Sequence, residues 1–148
     1  MAITQAVANS FKTEVLTGTH NFTATTGDSF KISLYTNSAT LSKSTTAYTS
    51  TAEVSGTGYT ATGNTLTSVT PALSSDTAVC DFADTSWTSA TITARGALIY
   101  NDTQSDKAVV ILDFGGDKRS TAGTFTIQFP AADASNAILR LAYEVKWH

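Results

Sequence analysis

The stretch Ala90-Thr91-Ile92-Thr93-Ala94-Arg95-Gly96-Ala97-Leu98-Ile99-Tyr100 sets Ile92, Ala94, Gly96, Leu98 and Tyr100 on one side and Thr93, Arg95, Ala97 and Ile99 on the other. A period of two sends successive side chains to opposite faces of an extended chain, so this stretch reads as a strand. Downstream, Ala108 to Phe114 and Gly123 to Phe129 read as two strands of a hairpin joined by the eight residues 115–122. Gly115 and Gly116 are expected to supply positive φ in that turn. Ile138 to Lys146 reads as a last strand with Leu139, Leu141, Tyr143 and Val145 on one face.

Upstream, Phe30, Ile32 and Leu34 alternate with Lys31, Ser33 and Tyr35, which predicts another strand. Val79 to Phe82 reads as a short one, and Gly58 to Thr62 and Thr65 to Thr70 as a hairpin joined near Gly63-Asn64. Residues 36–57 hold few large apolar side chains and read as a long, weakly packed Ser/Thr-rich excursion with a short strand around Ala47 to Val54. Residues 5–16 break the pattern. Val7, Phe11 and Val15 recur at i, i+4 and i+8, which predicts a short helix with Thr4 as its N-cap and Gly18 just past its end. Seven or eight antiparallel strands with one N-terminal helix or arm over residues 1–20 predict a single all-β domain spanning 1–148, a sandwich or jelly-roll-like barrel.

Composition agrees. The 148 residues include 28 Thr and 16 Ser and only two Pro, while 14% are charged. Thr, Val, Ile, Phe and Tyr suit pleated, half-buried surfaces. A net charge of −3 and a pI near 5.1 supply no basic footprint for nucleic acid and no polybasic membrane anchor. Met1-Ala2-Ile3-Thr4-Gln5 lacks the basic start and apolar run of a secretory signal, and Ala108-Val109-Val110-Ile111-Leu112 is too short to span a bilayer. The expected place of synthesis is therefore a cytoplasm. Cys80 is the only cysteine, which leaves no intrachain disulfide, cysteine-based zinc cluster or redox pair.

Catalytic patterns are thin. No Gly-x-Ser-x-Gly elbow occurs, and the two histidines, His20 and His148, lie toward the ends of the sequence. Asp113-Phe114-Gly115-Gly116-Asp117-Lys118 is glycine-rich but lacks phosphate-loop spacing. No cofactor is implied and the expectation is a non-enzyme. Asp81 with Asp84, Asp102 with Asp106 and Asp113 with Asp117 are close in sequence, but Asp residues commonly start turns by bonding their own backbone. No metal site is expected; were there one, Asp113 and Asp117 are the candidates, because two glycines let a loop fold back on an ion.

Trp87, Trp147, Tyr48, Tyr59 and Tyr100 offer flat rings that could stack on a sugar, or equally close a core or an interface. Asp117-Lys118-Arg119 is a mixed charge trio expected at a hairpin tip.

Gly96 to Asn101, Ala108 to Lys118, Gly123 to Pro130, the opening Phe11-Lys12 and Gly18 to Phe22, and Phe30 to Tyr35 together resemble segments of small virion proteins of tailed bacteriophages. The resemblance covers most of the chain and is weakest over residues 36–60. It implies a non-enzymatic structural protein of the virion, a capsid decoration or cement protein whose partner is the major capsid protein. By analogy with other decoration proteins it also implies a homotrimer. A tail or head-fibre component that binds host carbohydrate through Trp87 or Tyr59 is the alternative. The residues expected at the partner interface are Val7, Phe11 and Val15, the trio Asp117, Lys118 and Arg119, and Trp147, since such contacts are apolar at the centre and polar at the rim.

Overall fold

In the computed structural model, which describes residues 2–142, the chain runs β1 (Ala6–Val7), α1 (Asn9–Leu16), β2 (Phe30–Tyr35), β3 (Asn64–Thr65), β4 (Ser68–Ser74), β5 (Thr77–Phe82), β6 (Thr85–Asn101), β7 (Lys107–Ile127) and β8 (Leu139–Leu141). Strands β1-β7-β6-β2-β3 form one sheet and β4-β5-β8 a second, and every pairing between named strands is antiparallel. The fold is all-β and sandwich-like with one short helix. The barrel alternative is not realised, because neither sheet closes on itself.

The alternation around Ala90 to Tyr100 lies in β6, which pairs with β7 from Thr85↔Ile127 to Asn101↔Lys107. The predicted hairpin between Ala108 and Phe129 is not formed. Its two strands and the supposed loop are one continuous strand, and Asp117, Lys118 and Arg119 lie within β7, with Lys118 opposite Ala94 and Arg119 opposite Thr93. What resembled a turn is a bulge: Gly96 pairs with Asp113 and Ala94 with Lys118, so Phe114 to Asp117 stand opposite Arg95 alone. Bulges and turns use the same local chemistry. Gly115 has φ +79, while Gly116 keeps an ordinary φ. The Gly115 N–H donates to Asp113 Oδ1 at 2.9 Å.

β2 begins by alternating, but from Ile32 to Tyr35 every side chain is buried, because this strand is covered on both faces. One cover is an aromatic stack. Phe30 lies parallel to Phe22 with ring centroids 4.3 Å apart and meets Phe82 of the smaller sheet at 5.8 Å. The other cover is the excursion over residues 36–57, which is better packed than expected. Ala39, Leu41 and Val54 are buried in the common core, and Tyr35 bridges to Glu53. The predicted hairpin at Gly63-Asn64 is also absent: Asn64 and Thr65 add to the edge of β2, and β4 pairs with β5.

The helix is shorter than its periodicity. Ala6 and Val7 pair with Ile111 and Val110, so the sheet claims the residues that would have made the first turn. Ala8, not Thr4, sits at the N-cap, and its side chain makes no cap bond. The C-terminus follows expectation. Gly18 (φ +75) donates to Val15 O and Thr19 to Glu14 O, which closes the helix with a left-handed glycine.

Candidate functional site

Helix α1, edge strand β1 and the β5–β8 half of the smaller sheet enclose an open groove of about 530 Å³. Val7 comes from β1, Phe11, Val15 and Leu16 from α1, Cys80 from β5, and Leu139 and Leu141 from β8. The groove exists because the helix turns only Phe11 into the core and leaves Val15 and Leu16 outside it. Leu16 is 82% exposed and Leu141 69%. Exposed leucines that converge on one concavity are the signature of a contact surface, whereas scattered ones are ordinary.

Among the described residues, the charged side chains that line it are both cations. Lys12 donates to Asn9 Oδ1 at 3.3 Å, and Arg140 is held by the carbonyls of Ala134 and Ser135 at 3.3 and 2.9 Å. Neither forms a salt bridge among the described residues. The Cys80 thiol in the wall is pushed up to about 12 by burial and then by the Asp81 charge, so it stays protonated and unreactive at neutral pH. The groove thus presents an apolar floor with Lys12 and Arg140 at its rim.

Three predicted interface residues, Val7, Phe11 and Val15, meet in this groove. Asp117, Lys118 and Arg119 do not line it. Trp147 lies outside the described residues. Sequence reading missed Leu16, Arg140 and Leu141 as lining residues. Leu139 and Leu141, expected on one face of the last strand, both line the groove.

Asp113 and Asp117 are not folded together. Asp113 Oδ1 accepts from Gly115 N–H and from Arg95 Nε at 3.2 Å, and the backbone N–H above all holds its carboxyl below the usual range. Asp117 Oδ2 accepts instead from Asn37 Nδ2 at 3.4 Å. The loop that motivated pairing them on an ion is absent.

The candidate sugar-stacking rings are engaged inside the protein. Trp87 is 4% exposed and packs on Tyr59 and Phe125. Tyr100 is buried and donates to Thr62 O at 2.6 Å. Tyr48 and Tyr59 are half-buried and both donate to Glu53, at 2.5 and 2.6 Å, while Thr62 N–H gives that carboxylate a third bond at 2.8 Å. Burial, and for Tyr48 and Tyr59 also Glu53, raises all three phenols. This cluster straps residues 47–62 onto β2, and its acid, Glu53, carried no sequence signal.

His20, expected near a loose end, is enclosed by the rings of Phe11, Phe22 and Phe30. Its side chain has no exposed surface. Nε2 lies 3.0 Å from Glu14 Oε1 and Nδ1 lies 2.9 Å from Asn101 Nδ2. Both ring nitrogens are thus occupied by groups that are not nucleophiles. No helix among the described residues is long and apolar enough to cross a membrane. A scan against protein-family models, a search of curated proteins and a search of solved structures each find no match to this chain.

Proposed function

We propose that this chain is a non-enzymatic structural protein of a tailed-phage virion, a capsid decoration or cement protein that grips the major capsid protein through the groove beside α1. The observation that carries the reading is the convergence of exposed Val15, Leu16 and Leu141 on one concavity with a cationic rim. The resemblance of the segments around Gly96 to Pro130 to small virion proteins supports the virion setting. In this reading the capsid protein supplies an apolar ridge with flanking acids. Burial of the groove opposes the outward pressure of packaged DNA by bridging neighbouring capsid subunits, and a homotrimer would engage the lattice through three grooves at once. The carbohydrate alternative loses support, because Tyr59 and Trp87 present no open platform.

The test is antibody-gold labelling of purified virions, followed by rebinding of the purified chain to capsids that lack it. Label over the head, with rebinding abolished by Leu16→Asp and retained by Asp117→Asn, is the expected result. Label confined to the tail, label on no particle, or a Leu16→Asp chain that rebinds normally overturns the proposal.

A further inference from the structure

The hydrogen bonds around His20 fix its charge state. Asn101 Oδ1 accepts from the N–H groups of Thr103 and Gln104 at 3.1 and 3.2 Å, and Asn101 Nδ2 donates to Asp28 Oδ2 at 2.8 Å. Flipping that amide would set its oxygen against the Asp28 carboxylate and its N–H₂ against two backbone N–H groups. The second Nδ2 hydrogen must therefore point at His20 Nδ1, which has to be an acceptor. The ring proton is then on Nε2, directed at Glu14.

We propose that His20 is a neutral latch fastening the α1 end of the chain to the end of β6, and that protonation of its Nδ1 opens the latch at Asn101. The proton is taken from solvent as the pH falls, and it places two donors head to head. The groups that face the ring are Glu14 on α1, Asn101 on β6, Asp28 behind Asn101, and the uncharged rings of Phe11, Phe22 and Phe30. The Nε2–H bond to Glu14 is kept in either charge state, so the His20–Glu14 pair stays joined as the bond to Asn101 fails. With no exposed surface on the ring, water cannot take over the lost bond in place. The pair and α1 move outward together, whatever the groove binds.

The experiment is ¹⁵N NMR of the histidine ring in the full chain, combined with amide exchange through an acid titration. Near neutral pH, the expected result is protonated Nε2 and bare Nδ1; the other tautomer or an imidazolium overturns the proposal. As His20 titrates, exchange across residues 11–16 should quicken roughly tenfold, the equivalent of one buried hydrogen bond. Titration with unchanged exchange, or a ring that stays neutral until global unfolding, overturns the release. Glu14→Gln keeps an acceptor for Nε2 on a partly exposed side chain and should leave the ring proton on Nε2; a proton moved to Nδ1 in this variant refutes the hydrogen-bond assignment.

Discussion

Gly63→Ala should be among the most damaging small substitutions in the chain. Gly63 has φ +80, and an added Cβ would lie 1.8 Å from Ile32 O and 2.7 Å from Ile32 C. The left-handed backbone alone costs alanine about 1 kcal/mol. The Ile32 carbonyl would also have to retreat by roughly 1.5 Å to reach an ordinary contact. That movement unseats the pairing of Lys31 with Thr65 and Ile32 with Asn64. Two net hydrogen bonds at about 1 kcal/mol each bring the total to about 3 kcal/mol. In a protein of this size that lowers the melting temperature by roughly 6–12 °C. Calorimetry and urea denaturation should be run beside Gly115→Ala and Gly116→Ala, since both sites are open to a Cβ and only Gly115 has positive φ. The expected order of loss is Gly63, then Gly115 at about 1 kcal/mol, then Gly116 near zero. A Gly63→Ala loss below about 1 kcal/mol, or below that of Gly115→Ala, refutes the reasoning.

Phe30→Ala removes the centre of the aromatic stack and should cost about 3–5 kcal/mol, with half-buried Phe114 and Phe129 costing less than buried Phe125 on the same denaturation curves. Asp81 is buried with Oδ2 unpartnered among the described residues, and burial raises its pKa. The native fold is therefore favoured while Asp81 is protonated and loses stability as pH climbs from the ordinary carboxyl range through the raised value. Asp81→Asn should melt higher at neutral pH, by about 1 kcal/mol, and match the wild type in acid; melts across pH decide it. Glu53→Ala strips an acceptor from Tyr48, Tyr59 and Thr62 and should cost about 2–3 kcal/mol, with faster amide exchange over residues 47–62; unchanged exchange there would disprove the strap.

The sequence patterns that survived are those in which one periodicity had no rival. Phe30 to Tyr35 and Ala90 to Tyr100 have period two and became β2 and β6. The errors lie where two structures ask for the same residues. Asp113-Phe114-Gly115-Gly116 satisfies a turn and a bulge equally, and only the length of the partner strand decides between them. Val7 fits a helical stripe, yet pairing with Val110 is the stronger claim on its backbone. The excursion over residues 36–57 was underrated, because a phenol–carboxylate cluster needs only one acid and two tyrosines, and these are spread over sequence without a period. For the groove, Phe11 and Val15 were legible as a helical stripe and Leu139 with Leu141 as one strand face, but their convergence depends on the long-range pairing of β8 with β5, which no local pattern carries.

The β6–β7 ribbon outruns its neighbours. β2 covers β6 only from Gly96 to Asn101, and β1 covers β7 only at Val110 and Ile111. A flat ribbon left open in this way would offer a template for indefinite strand addition in a crowded cell. Here the register slips near Ala90, Ile92 and Arg95, so the spacing of free amides and carbonyls is never regular for long. Lys118 and Arg119 add two positive charges beside one of those slips. The same irregularity that disguised the strand as a turn makes this edge a poor template for further strand addition.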